Sequence, residues 1–233
     1  MKKMIVFMVS LFLLLSSSVS AHGVAVSSGK KSEGLTILVN GVEVKSAANH
    51  ITGGKTYVSV PAFAKLFDLT YTLSNGNGQV VFNGQTITNI RMKQDEPTAW
   101  VQDLAKAVHA QQVTWDGKQE VYVLALPEGT VKISESVPAM GEHWANPQAG
   151  DLPVGPIYGV HEGRLVFLEY MIAHDDFIKG VDHVNLAGMK GVPSPAVVQL
   201  DIEFSKNGHD GFEVPHYDIH AYFITDEEQQ QIH

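Results

Sequence analysis

Along most of this chain apolar and polar residues alternate in short runs, the period of β-strands, and at two places apolar residues recur instead at helical spacing. Val198, Leu200, Ile202 and Phe204 alternate with Gln199, Asp201 and Glu203, which predicts a strand with the apolar set turned inward. Arg164–Met171 predicts another strand, entered through the His161-Glu162-Gly163 turn, and Phe212–Ile224 a third. In that third strand Tyr217, Ile219, Ala221 and Phe223 share one face, while His216, Asp218, His220 and Tyr222 share the other. The helical spacings are Phe63, Leu66 and Phe67 within Ala62–Leu69, and Leu104, Ala107 and Val108.

Both short helices belong to a weak internal repeat. Thr56–Pro61 leads into the first, followed by Thr70-Tyr71-Thr72, a turn at Asn75–Gly78 and the strand Gln79–Phe82. Thr98–Val101 leads into the second, followed by Gln112–Trp115, a turn at Asp116-Gly117 and the strand Glu120–Leu124. Asn-Gly and Asp-Gly between β-rich runs are strong hairpin signals, so each unit is predicted to be a helix followed by a β-hairpin. Ile37–Val44, Gly54–Val60, the helix and the hairpin at Val113-Thr114-Trp115-Asp116 resemble the stalk domain named for the amino-terminal region of copper amine oxidases. The resemblance covers about residues 35–127 and implies a small α+β module that presents or spaces a partner domain. It carries no expectation of the copper and quinone cofactors of an amine oxidase, whose catalytic domain is far larger than anything downstream.

Met1–Ala21 joins Lys2 and Lys3 to the apolar stretch Met4–Leu15 and to small residues ending Val-Ser-Ala, the pattern of a secretory signal. The stretch is shorter than the ~20 apolar residues of a spanning helix. The expected organisation is a signal peptide at 1–21, a flexible leader at 22–34, the stalk-like α+β domain at 35–127 and an acidic, histidine-rich β domain at 128–233. Such a protein is secreted, either extracellular or cell-wall associated, and keeps no membrane partner after signal removal.

With 44% hydrophobic and 18% charged residues the chain is globular, and the absence of cysteine excludes disulfides, zinc–thiolate clusters and thiol nucleophiles. A net charge of −9 argues against nucleic acid as a partner. That charge is unevenly placed: residues 22–127 carry a net +1 and residues 128–233 a net −12, with eight of the eleven histidines in the second half.

The second half reads as strands joined by Pro/Gly-rich connections, economically an all-β sandwich or small barrel. Its polar strand face suits a lined binding site better than bulk solvent, where Lys and Glu are the usual choice. On a strand His216 and His220 stand ~13 Å apart, too far for one ion held at ~2.0–2.1 Å from each nitrogen. Asp218, ~6.6 Å from either, is expected to pair with one of them while other strands supply further ligands. Candidates are His143, in Gly141-Glu142-His143-Trp144, and Glu169, a carboxylate on the Leu165/Phe167/Met171 face, where an unpaired charge is costly. His174, Asp175, Asp176, Asp182 and His183 form a second acidic–imidazole group, read as a solvated loop with a divalent-ion site as the alternative.

Gly141–Trp144, Leu152–Val160, Val166–Met171 and Val214–Phe223 together resemble an uncharacterised family of exported bacterial domains whose prototype is a thermophile protein under sigma-E/anti-sigma-E control. The resemblance spans about Val137–Ile224. It implies a compact β structure able to assemble into rings, marks His143, Glu169, His216, Asp218 and His220, and brings no reaction with it.

These five residues are the candidate ligands of a divalent metal ion of unspecified identity, and His143, Glu169 and Tyr222 the candidate contacts of a small molecule. Neither Gly-x-Ser-x-Gly nor His-Glu-x-x-His is present. The expected function is a secreted or envelope two-domain binding protein, its stalk-like domain positioning a β domain that binds a small ligand or metal ion. One alternative is a metal-assisted or general acid–base enzyme, with Asp218 orienting His220 and Glu169 or His143 completing the site. The other is a structural envelope protein that acts by assembly. Cell-wall components and further copies of the chain join the small molecule or metal ion as partners to consider.

Overall fold

Short alternating runs cut by turns can bury their apolar sides only by pairing, and the described chain is accordingly mostly strand. The computed structural model describes residues 34–233 apart from 75, 77, 118, 150 and 151; the expected signal peptide and nearly all of the expected leader lie outside these described residues.

The first half runs β1 (Thr36–Val39), β2 (Val42–Glu43), β3 (His50–Thr52), β4 (Lys55–Ser59), α1 (Val60–Leu66), β5 (Tyr71–Ser74), β6 (Gln79–Phe82), β7 (Gln85–Ile87), β8 (Ile90–Lys93), β9 (Glu96–Trp100), α2 (Val101–Ala107), β10 (Gln112–Trp115) and β11 (Glu120–Leu124). Three sheets result, in the orders β10-β11-β1-β2, β3-β4-β9-β8 and β5-β6-β7. Strands β4 and β9 pair antiparallel, Tyr57 opposite Trp100, and each runs straight into a helix and then a hairpin. Ser59 caps α1 by accepting from the Ala62 N–H, and Pro61 occupies the first turn, where its missing N–H costs nothing. The parallel pairing of β1 with β11 ties the ends of this half together. Val58, Phe63, Phe82, Leu104, Val121 and Val123 lie in one buried apolar cluster.

The second half runs β12 (Val131–Lys132), β13 (Glu142–Ala145), β14 (Ile157–His161), β15 (Arg164–Ala173), α3 (His174–Lys179), β16 (Gln199–Ser205), β17 (His216–Tyr222) and α4 (Asp226–Gln229). Its strands hydrogen-bond as one antiparallel sheet in the order β12-β13-β14-β15-β17-β16, with β12 and β16 at the ends. The segment expected to be a solvated loop at His174 starts a helix instead. Gly180 closes that helix in the left-handed region at φ 67°, a C-terminal stop that glycine adopts without strain. The two halves share an apolar cluster of Leu124 and Leu126 with Tyr158, Val160 and Leu165. Asn40 pins the junction: its Nδ2 donates to the Ala125 and Pro193 carbonyls (2.6 and 2.9 Å) and its Oδ1 accepts from the Ala125 N–H.

The apolar side of β16 faces the opposite way from the sequence expectation. Gln199, Asp201 and Glu203 stand opposite Tyr222, His220 and Asp218, so residues directly paired across the strands put β16's polar side on β17's polar face. Leu200 and Ile202 are left 58% and 60% exposed, and Val198 and Phe204 are exposed as well. No helix among the described residues is long and apolar enough to cross a membrane.

Candidate functional site

The strand register lays the polar face out in rows. His143 (β13), Gly159 (β14), Phe167 (β15), Tyr222 (β17) and Gln199 (β16) form one row. Ile157, Glu169, His220 and Asp201 form the next; Met171, Asp218 and Glu203 the third; Ala173, His216 and Ser205 the fourth. This face is the covered one. Glu169, His216, Asp218 and His220 are all buried, between 0% and 8% exposed. Phe167, Tyr222, Ile224 and Ile232 cluster at one end, and Ile157 and Met171, with Leu152 and Phe212 against them, at the other. The ionisable side chains run alongside Ile157 and Met171, on β15 and β17.

Gly159 makes the arrangement possible. A Cβ there would overlap the Phe167 ring, so only glycine lets that ring lie across β14. Phe167 then stands edge-on to both His143 and His220, with centroids 5.6 and 4.9 Å apart.

Glu169 sits between two imidazoles. His220 Nε2 lies 3.1 Å from Glu169 Oε1 and His143 Nε2 4.0 Å from Glu169 Oε2. The other ring nitrogen of His220 lies 3.8 Å from Glu203 Oε2. Both His220 nitrogens face carboxylates without closing a well-formed hydrogen bond among the described residues. Burial alone would lower the His220 pKa, but the Glu169 carboxylate outweighs it and the net shift is upward. His143 goes the other way: burial dominates, the Glu169 charge offsets it in part, and its pKa falls. Ser134 Oγ lies 2.8 Å from the Glu135 carbonyl and 3.0 Å from His143 Nδ1. The same Ser134 Oγ accepts the His143 backbone N–H at 3.0 Å, so this one hydroxyl holds both the backbone and the ring of His143 while Nε2 faces Glu169.

Asp218 takes the other histidine. Its Oδ1 lies 3.0 Å from His216 Nε2 and 3.6 Å from Nε2 of His209, a residue the sequence reading passed over. The donor atoms of His209, His216 and Asp218 all fall within 4.8 Å of one another. The missed signal was local: His209 precedes Asp210-Gly211, an Asp-Gly turn that returns the chain from β16 to β17. Tyr222 stacks on His220, and its hydroxyl accepts from Gln229 Nε2 at 2.9 Å; its pKa is raised by burial.

The five candidate ligands thus lie on one covered strip in two groups, Glu169 with His220 and His143, and Asp218 with His216. The second acidic–imidazole group is dispersed. Asp175 pairs with Lys179, Asp176 approaches His183 at 3.8 Å, and His174 packs against Phe204 and Tyr217.

No protein-family model matches this chain, and no curated protein does. Among solved structures, a hypothetical protein from Thermus thermophilus, TTHB210, is similar to 44% of this chain over 95% of its own length, at 19% identity and a TM-score of 0.38. A likeness of that degree assigns no function.

Proposed function

We propose that this is an exported binding protein of the envelope or the medium, in which a stalk-like first half presents a compact β domain that holds a metal ion or small ligand at its buried imidazole–carboxylate strip. The observation that carries this reading is the burial of Glu169, His216, Asp218 and His220 on one face, with Asp218 Oδ1 and both His220 nitrogens closing no well-formed hydrogen bond among the described residues although Glu169 stands 3.1 Å from His220. Such groups cost free energy when desolvated, and a bound ligand offsets that cost. The full chain recovered from a secreting culture is expected to carry a near-stoichiometric metal or a small molecule, detected by elemental and mass analysis, and to melt at lower temperature once stripped. Protein that carries neither, and whose melting ignores a chelator, overturns the proposal.

A second reading, general acid–base chemistry, draws on Glu169 standing between a histidine of lowered pKa and one of raised pKa, opposed shifts that suit proton transfer. Self-association is supported by the exposed apolar side of β16, an edge strand, and sedimentation at two protein concentrations tests it.

A further inference from the structure

We infer that His209, His216 and Asp218 form a three-donor centre for a divalent first-row transition-metal ion, open to solvent through His209. This rests on the binding function proposed above and names its ion class and ligands.

The tautomers come first. His216 Nδ1 lies 2.6 Å from the Val214 carbonyl, which can only accept, so that nitrogen carries the proton. His209 Nδ1 meets the Asp210 carbonyl at 3.1 Å and is protonated for the same reason. In their neutral forms both imidazoles therefore present a lone pair at Nε2. Those two atoms are 3.1 Å apart, with Asp218 Oδ1 3.0 Å from one and 3.6 Å from the other. Two lone pairs and a carboxylate oxygen facing one another at such distances repel unless a cation stands among them. Asp218 Oδ1 is a buried acceptor with no hydrogen-bond partner among the described residues.

The spacing fits a metal. Ligands ~2.0–2.1 Å from a tetrahedral ion are about 3.3 Å from each other, and the three separations here bracket that value. Three protein donors then occupy one side of the ion and leave a position for water or a ligand atom. Two imidazoles and one carboxylate suit zinc, cobalt, nickel or ferrous iron, whereas calcium and magnesium require oxygen donors.

The supports are those a metal-binding histidine needs. His216 is held by the Val214 carbonyl on one side and by Phe212, stacked at 4.5 Å, on its face. His209 is held by a tight turn in which its N–H and carbonyl both bond Phe212. Gly208, at φ 70°, precedes it where a Cβ would strike the Phe212 and Glu213 backbone, so the turn places His209 in one position. The His209 side chain is 48% exposed, which provides an entry path for the ion.

The test loads the full-length mature chain with Zn²⁺ or Co²⁺, removes free metal by gel filtration and measures retained ion and, for Co²⁺, the visible spectrum. About one ion per chain is expected. His209→Ala, at a surface turn, should keep the wild-type circular dichroism yet bind at least about tenfold more weakly, and added imidazole should restore the Co²⁺ spectrum. His143→Ala should retain the ion. If His209→Ala binds as tightly as wild type while His143→Ala or Glu169→Gln releases the ion, this centre is refuted and the proposed binding function stands. A wild-type chain that retains none of Zn²⁺, Co²⁺ or Ni²⁺ also refutes the centre and leaves the binding function to the small-molecule content of the exported protein.

Discussion

The two halves of the molecule treat burial in opposite ways. The first gathers most of its buried apolar residues into one cluster, and among its described residues the buried polar side chains are uncharged: Asn40, Thr56, Ser59 and Thr98. Thr98, for instance, returns its hydroxyl to the Arg91 carbonyl at 2.8 Å. The second splits its apolar residues among three smaller clusters and buries a strip of carboxylates and imidazoles beside them. An apolar core is stabilising at about 1.5–3 kcal/mol for each large side chain buried, whereas a desolvated carboxylate costs free energy unless matched. The Leu124/Leu126 cluster packs on the Tyr158/Val160 side of the sheet, while Ile224, Ile232, Leu152 and Phe212 pack around the strip on the other side. Apolar burial is concentrated in one region and buried ionisable groups in the other.

The sharpest way to break this contrast is to remove one large group from each region. Phe63→Ala should cost about 3–5 kcal/mol in urea unfolding, with little dependence on pH and unchanged metal retention. Glu169→Ala should cost a similar 3–5 kcal/mol by leaving His220 buried without its anion. Replacing both Glu169 and His220 by apolar residues should recover much of that loss; a double variant as unstable as the single one would show that the pair contributes through packing alone.

Gly159→Ala should have the next largest effect, about 1–3 kcal/mol for the overpacked site. It should also displace Phe167 and move the His143 and His220 ring resonances in an NMR spectrum. Unmoved resonances would mean that the Phe167 ring does not set the strip's geometry.

A smaller effect is expected from pH on metal-free protein. Unfolded, both histidines titrate near 6.5. The raised His220 pKa contributes stability that is fully present below pH 6.5 and lost as pH rises through the folded value. The lowered His143 pKa removes stability as pH falls from 6.5 through its folded value. His220→Gln should therefore flatten the decline on the alkaline side and leave the acid side, and His143→Gln the reverse. A His220→Gln curve that still falls as steeply as wild type above pH 6.5 would contradict this assignment.

The smallest effect belongs to the exposed side of β16. Ile202→Thr should change the stability of the monomer by no more than about 0.5 kcal/mol. A larger loss that grows with protein concentration would show that another molecule covers this face.

Much of the architecture was legible in local pattern. The β4–α1 and β9–α2 junctions with their hairpins follow from helical spacing and turn residues that act within a few positions. The parity of His216, Asp218 and His220 was legible for the same reason, as was Glu169 on a strand face of apolar residues. Partner choice was not: spacing left His216 and His220 as equal partners for Asp218, and the fold pairs Asp218 with His216 because Glu169 stands across from His220. His209 was missed because its route to the site runs through a turn outside the alternating pattern. Helix α3 has no apolar period, and its signals are at its ends alone: Asp175 and Asp176 in the first turn, Lys179 in the last and Gly180 at the stop.

A period of two by itself divides a strand into two sides and says which residues travel together. It cannot say which side the rest of the protein covers, because that depends on segments far away in the chain. Here the sheet register carried the polar side of β16 onto β17's covered face and turned Leu200 and Ile202 outward, against the ordinary preference for apolar burial. The residues of the strip were therefore written in the sequence, while their enclosure was decided by the packing of the whole sheet.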